Sequence, residues 1–196
     1  METSSQTDWA VQSLTLADAA QVVDHYMLFS TADLELRFFV GLPESEERRR
    51  DVLTAWVNDF FKRAESHHLG IRDPVGGNAL IGLASWGPIK GKPGIAAFGV
   101  SVVPGWRGKR LTMALLDRAC CDAVQAGLTT MQVDYRPGNE PVKRLLQSIN
   151  VAFPLERGLS VAKGSLAPYA AEIRHQVEAL AAFLEAVGVG PQPSRL

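Results

Sequence analysis

Apolar positions along this chain recur at the helical spacing, then at the strand spacing, then at the helical spacing again. Trp9 to Leu16 reads as a first strand. Ala17 to Leu28 follows with Ala19, Val22, Val23 and Tyr26 on one stripe, the mark of an amphipathic helix. Thr31 to Val40 holds the string LELRFF, and the Gly41-Leu42-Pro43 break ends it. Pro43 then opens another helix, with Glu44, Glu46 and Glu47 in first turns where the helix dipole favours acid. Its apolar residues, Val52, Leu53, Trp56, Val57, Phe60 and Phe61, recur at three and four.

His67 to Ile71, Asn78 to Trp86 and Gly94 to Val103 are short β-type runs separated by Asp-Pro, Gly-Gly and Lys-Gly-Lys-Pro-Gly turns, an antiparallel meander. Arg107 to Ala126 reads as a helix with apolar residues on most sides, stopped by Gly127. Thr129 to Tyr135 is the next strand. Arg136-Pro137-Gly138 turns into a short helix from Asn139 to Ile149, and Val151 to Phe153 and Leu159 to Ala162 are closing strands. The expected fold is α/β of the mixed α+β kind, a single domain over residues 1–165. Residues 166–196 form a C-terminal amphipathic helical extension. In it Tyr169, Ile173, Val177, Leu180, Leu184 and Val187 make a heptad-like seam. That helix either packs on its own domain or mediates a homodimer.

Composition narrows the function classes. The chain has 196 residues, with 46% hydrophobic and 21% charged residues. At that size about 70% of the unfolded surface can be buried, so a stable core needs neither disulfide nor structural metal. The 20 Lys and Arg against 21 Asp and Glu leave a formal charge of -1, without the basic excess of a nucleic-acid binder. No apolar run approaches the roughly 20 residues of a membrane span. METSSQTDWAVQSL lacks the basic cluster and apolar core of a signal peptide, so a cytoplasmic location is expected, with no membrane partner. Cys120 and Cys121 are sequence neighbours in a helical segment, a spacing that suits buried thiols rather than a disulfide. His67-His68 lacks a third ligand nearby, so no metal is expected.

The candidate chemistry lies in AAFGVSVVPGWRGKRLTMALLDRA, residues 96–119. A strand runs through a Pro104-Gly105 turn into a helix expected to begin near Gly108. First-turn amides of a helix lack internal partners and carry partial positive charge. Arg107, Lys109 and Arg110 add cations at the same end, which opposes the dipole unless an anion is bound. A phosphate or pyrophosphate suits such a site; a solvated basic turn is the alternative. There is no G-x-G-x-x-G after a strand and no G-x-x-x-x-G-K-[ST], and neither Ser85 nor Ser101 sits in a G-x-S-x-G setting.

VVPGWRGKRLTMALL, Val102 to Leu116, resembles the acetyl-CoA-binding motif of the GNAT superfamily of N-acetyltransferases, Gln/Arg-x-x-Gly-x-Gly/Ala at a helix start. QVDYRPGNEPVKRLLQSINV, Gln132 to Val151, resembles the family's next strand and its N-x-x-[AV]-x-x-L helix. TADLELRFF, Thr31 to Phe39, is similar to the early helix of GNAT domains related to protein-lysine acetyltransferases. The resemblance covers residues 9 to 163 and implies a GNAT-like, mainly antiparallel sheet flanked by helices. It also implies acetyl-CoA as cosubstrate, with Val102 and Val103 facing the pantetheine. Arg107, Gly108, Lys109, Arg110, Leu111 and Thr112 would surround the pyrophosphate, and Asn139 would lie near the thioester; Asn139 also reads as a plain helix N-cap.

The chain departs from the pattern at four places. Arg110 and Thr112 stand where the family has small residues, Ala97 where many members carry a Glu base, and Leu146 where many carry a Tyr acid. Ser101, Tyr135 and Glu140 are polar residues in the region, and spacing selects none of them, so the catalytic residues are unknown at this level. The expectation is transfer of an acetyl or related acyl group from acetyl-CoA to a primary amine of a small molecule or protein. Backbone amides of Val102 or Val103 would polarise the thioester carbonyl. The rivals are a non-catalytic acyl-CoA sensor of the same fold and a protein-interaction module centred on the tail helix.

Overall fold

The structure, a computed structural model, describes residues 9–148 and 160–171. Its six strands form one sheet in sequence order. β1 (Val11–Ser13), β2 (His67–Arg72), β3 (Leu80–Pro88) and β4 (Ile95–Val102) make the antiparallel meander, and β6 (Ser160–Ser165) runs antiparallel to β5 (Thr130–Tyr135). The one parallel pair is β4 with β5, joined through α4 (Leu111–Gln125), since a parallel connection needs a crossover element. Between β1 and β2 come α1 (Ala19–Met27), α2 (Thr31–Phe38) and α3 (Glu46–Lys62), and α5 (Glu140–Ser148) follows β5.

Local chemistry places several boundaries differently from the sequence pattern. β1 is three residues long because Thr15 turns the chain: its N–H donates to Asp18 Oδ2 at 2.8 Å, and Asp18 N–H returns to Thr15 O at 2.9 Å. α3 begins at Glu46 rather than Pro43, because Ser45 is the residue whose carbonyl accepts the first helical bond, from Arg49 N–H at 2.9 Å. β3 is shifted two residues beyond the expected Asn78 to Trp86, since Asn78 takes a left-handed turn at φ 66°. The TADLELRFF segment is a helix, α2, capped by Ser30, whose Oγ accepts from Asp33 N–H at 3.1 Å.

Each sheet face has its own core. On one, Leu111, Leu115, Ala119 and Cys120 of α4 pack on Ile81, Phe98, Met131 and Ala162. On the other, Val22 and Tyr26 of α1, Leu34 of α2, and Leu53 and Val57 of α3 pack on Leu80 and Leu83. Cys120 is buried, which pushes its thiol up to about 12, so it remains protonated as a small core residue. Neither cysteine forms a disulfide. His67 stacks on Trp86 at 4.1 Å, and His68 meets Ser85 Oγ at 3.0 Å.

The expected extension begins against the domain. Leu166 is 1% exposed, its N–H donates to Thr129 O at 2.9 Å, and Tyr169 O–H donates to Asp117 at 3.3 Å. Residues 167–171 are helical. The expected Val151 to Phe153 strand and the rest of the seam, Ile173 to Val187, lie outside the described residues. Among the described residues no helix is long and apolar enough to cross a membrane.

The feature that positions the site is a divergence within the sheet. β4 and β5 pair only at Ile95↔Thr130, Ala96↔Met131 and Ala97↔Gln132. Beyond that both strands continue, β4 to Val102 and β5 to Tyr135, without pairing to one another.

Candidate functional site

A cleft of ≈ 330 Å³ opens where β4 and β5 part. Its sheet wall is Phe98 to Val102 with Met131, Val133 and Asp134, and α1 and α2, the start of α4 and the start of α5 complete it.

The β4 wall offers backbone groups. Val103 N–H donates to Ile81 O on β3 at 3.0 Å. Since the groups of an antiparallel ladder alternate in direction, Val102 and Val100 turn theirs away from β3, toward the gap β5 has left. The Val102 carbonyl confirms that direction, accepting from Arg107 Nε at 3.4 Å on the cleft side. Val103, whose amide is bound to β3, has none to offer a ligand, which corrects the expectation that either valine would serve.

At one end stands the loop before α4. The helix starts at Leu111, not near Gly108, because Gly108 (φ 81°) and Arg110 (φ 63°) both adopt left-handed conformations that a right-handed helix excludes. The loop therefore curls. The N–H groups of Gly108, Lys109, Arg110, Leu111 and Thr112 find no acceptor among the described residues. A curl of consecutive free amides leading into a helix N-terminus has the backbone geometry of a nest, which suits an anion. Arg110 holds its left-handed φ without being glycine, at a cost of roughly 1–2 kcal/mol. The family has its small residue at this position.

The opposite wall, from α1 and α2, is built of side chains. His25 is 1% exposed, with Nδ1 2.9 Å from Leu80 O and Nε2 2.9 Å from Ser101 Oγ. A carbonyl only accepts, so Nδ1 carries the ring proton, and Nε2 accepts from the Ser101 hydroxyl. Burial pushes the His25 pKa down to about 4; the Leu80 carbonyl opposes that shift and the Arg37 charge adds to it. The ring is neutral around pH 7, and the Ser101 oxygen turns its lone pairs to the cleft it lines. Arg37 lies beside it against Gly99, where any side chain on residue 99 would overlap the guanidinium. Asp33 receives Arg107 Nη2 at 3.3 Å and Ser30 Oγ at 3.0 Å, tying α2 to the loop.

Of the residues expected at the site, Val102, Arg107, Gly108, Thr112 and Asn139 line the cleft. Arg107 turns inward to Asp33 and Val102. Lys109 lies over the Trp106 ring at 4.2 Å, and its carbonyl accepts from Trp9 Nε1 at 2.9 Å. The Leu111 side chain is 1% exposed in the α4 core, so only its amide reaches the loop surface. Asn139 is a helix cap, accepting from Val142 N–H at 3.2 Å, and also lines the cleft. Among the polar residues left undecided by spacing, Tyr135 is 2% exposed in the core and Glu140 is ion-paired to Lys143 at 2.6 Å. Ser101 is the one at the cleft wall. Sequence reasoning missed His25 and Arg37. The available signal was a histidine beside Tyr26 on the apolar stripe of α1.

The Acetyltransferase (GNAT) family profile matches residues 28–150, more than half of the chain. No curated protein matches the sequence significantly. Among solved structures, the GNAT domain of S. lividans PAT is 17% identical, with a TM-score of 0.66 over 79% of this chain and 89% of that one. Spermidine N-acetyltransferase from Vibrio cholerae, in complex with CoA and spermine, is 15% identical, with a TM-score of 0.60 over 83% and 98%. The yncA protein of Salmonella typhimurium, solved with its cofactor acetyl-CoA, is 19% identical, with a TM-score of 0.58 over 82% and 95%. At these identities the likeness is one of fold.

Proposed function

This chain belongs to the acetyltransferase (GNAT) family, and from that premise we propose that it transfers an acetyl group from acetyl-CoA to a primary amine. The observation that carries the reading is the run of free amides from Gly108 to Thr112 beside the splayed β4 edge. Gly108, Lys109 and Arg110 are exposed, so water can satisfy these amides in the free chain, and a run of donors at one helix start suits an anionic acceptor from outside it. A pyrophosphate supplies one. Structural neighbours that hold CoA or acetyl-CoA support the same cosubstrate.

The nest would hold the pyrophosphate, and the Val100 and Val102 edge would meet the amide-bearing arm. When bound, acetyl-CoA supplies the acetyl group as an activated thioester. The chain's own residues then do three things. Val102 N–H, directed into the cleft, is placed to polarise a carbonyl there. Ser101, its hydroxyl proton committed to His25, offers only lone pairs to the cleft and so orients an amine by accepting its N–H. Phe98, Val100, Leu116 and Met131 keep the wall apolar and limit water access. Holding both reactants in one geometry lowers the barrier even without a Glu at position 97 or a Tyr at 146.

Arg110 and Thr112 replace small residues yet leave every amide of the nest free, so the cosubstrate reading does not depend on glycine at either position. Thermal unfolding with acetyl-CoA tests the reading, with adenosine 3′,5′-bisphosphate as a fragment control. At about 100 times Kd the ligand should stabilise by ~2.7 kcal/mol, a midpoint rise of roughly 5–10 °C. No shift at millimolar acetyl-CoA would overturn it in favour of an interaction module that has lost the ligand. A shift without turnover of any amine would point to a sensor.

A further inference from the structure

Besides the Asp33–Arg107 pair, two charges on the cleft wall are not used by the proposed transfer, Arg37 and Asp134, and Arg37 is the one that differs from its kind. Arg50, Arg63, Arg72, Arg107 and Arg118 each meet a carboxylate, at distances of 2.6 to 3.3 Å. Arg49 and Arg136 donate to backbone carbonyls. Arg48, Arg110 and Arg144 stand exposed to solvent. Arg37 fits none of these groups. It is partly buried, its Nε is shielded and without a partner, and no carboxylate or carbonyl among the described residues meets its guanidinium. Its one neighbour of note is the Phe38 ring, 5.5 Å away, which offsets only part of the lost hydration.

Neither acid on the cleft wall forms an ion pair with Arg37. Asp33, one helical turn before Arg37 and so its natural ion-pair partner, is held by Arg107 and Ser30 instead. Asp134 accepts from Gln132 Nε2 at 2.9 Å. Gly99 leaves room on β4 for the guanidinium, which no larger residue would allow. The chain has thus placed on the cleft wall a cation with no ion-pair partner and a shielded Nε, an arrangement that an anionic ligand would complete.

The position also indicates what kind of anion. Gly99 and Ser101 are two residues apart and share a face of β4, which puts them about 7 Å from one another. A molecule whose amine rests at Ser101 therefore extends its other end to Arg37. A planar guanidinium fork matches a carboxylate. A single negative charge balances it. A polyamine would bring like charge to the fork.

We infer that the acceptor is an amine that carries a carboxylate in the same molecule, an amino acid or short aminocarboxylic acid, with the carboxylate held by Arg37. The inference rests on the acetyl-transfer reading for the role of the amine, and on the Arg37 geometry for the carboxylate.

The experiment takes the α-amino acids and the unbranched ω-amino acids from glycine to 6-aminohexanoate, each paired with its carboxamide, and spermidine as a cationic control. Binding is read by saturation-transfer NMR on the full chain without acetyl-CoA, and turnover with it, for wild type, Arg37→Met and Arg37→Lys. The expected result is a preference of at least about 30-fold in kcat/KM for an acid over its carboxamide. That preference should fall to within about threefold in Arg37→Met and recover in part in Arg37→Lys. Arg37→Met should unfold at or above the wild-type midpoint and keep the acetyl-CoA shift, since nothing in the fold pairs with the guanidinium. Equal use of acids and amides, a preference for spermidine, or a clear loss of stability in Arg37→Met would overturn the inference while leaving acetyl transfer intact. Absence of any acetyl-CoA shift would instead remove the transfer reading. The NMR comparison would then decide the carboxylate site by itself: Arg37-dependent binding of acids supports it, and binding that is absent or unchanged in Arg37→Met overturns it.

Discussion

The two ends of the cleft are made from different parts of the chain. The loop from Gly108 to Thr112 presents backbone amides, and two of its side chains point away: Lys109 lies on Trp106 and Leu111 is in the core. The α1–α2 wall presents side chains, with His25 locked between Leu80 O and Ser101 Oγ and Arg37 seated over Gly99. A site made of amides tolerates substitution as long as the φ angles persist, which is why Arg110 and Thr112 leave the nest intact. A site made of side chains has no such tolerance, because each function belongs to one group of atoms.

The largest effect expected from this contrast is a pH dependence at the side-chain wall. The His25 pKa is about 4 in the folded chain against an ordinary 6.5, so the unfolded chain binds its proton at higher pH. The resulting stability is fully present above pH 6.5 and is lost as pH falls toward 4, amounting to about 3 kcal/mol. Burial lowers the His68 pKa as well, which adds a loss of the same sign. Urea melts at pH 7.5 and 4.5 should therefore show a smaller drop in His25→Gln than in wild type, and an identical drop would mean that His25 is not held neutral.

A smaller effect is expected from Ser101→Ala. Removing one acceptor for the amine should lower kcat/KM about 10-fold, the equivalent of ~1.4 kcal/mol. The acetyl-CoA-induced midpoint shift should not change. His25→Leu combined with Ser101→Ala should cost little more than either alone, since the ring acts only through the hydroxyl. Additive losses measured in steady-state assays would separate the two residues.

The smallest effect belongs to the amide end. Arg110→Gly relieves the left-handed strain but loosens the unfolded chain, for a net gain of about 1 kcal/mol or less and a midpoint rise of about 1–3 °C. Acetyl-CoA affinity measured by calorimetry should stay within about threefold of wild type. A tenfold loss would show that the Arg110 side chain, and not the amides, holds the ligand.

Much of the frame was legible in the pattern of residues. The meander, α4, β5 and α5 follow from apolar periodicity and turn residues, because burial of one face imposes a period of its own on each element. The strand-turn-helix segment pointed to the amide end of the cleft, since Pro104-Gly105 and the residues to Thr112 are contiguous and their amides come with the backbone. The start of α4 was misplaced by three residues because φ at Gly108 and Arg110 is set by the loop's path, and Arg110 gives no sign of a left-handed conformation in its side chain.

The α1–α2 wall was not legible, and the reason is distance along the chain. His25 meets Leu80 and Ser101 across 55 and 76 residues, and Arg37 meets Gly99 from a different helix. No local rule reports such pairings, which exist only once α1 and α2 have packed on β3 and β4. The sequence by itself determined the elements, their order and the amide-rich loop, all of them short-range properties of backbone and period. The parting of β4 from β5, the burial that keeps His25 neutral and the isolation of the Arg37 charge were decided by tertiary packing, because desolvation and ion pairing depend on what the rest of the chain places beside each group.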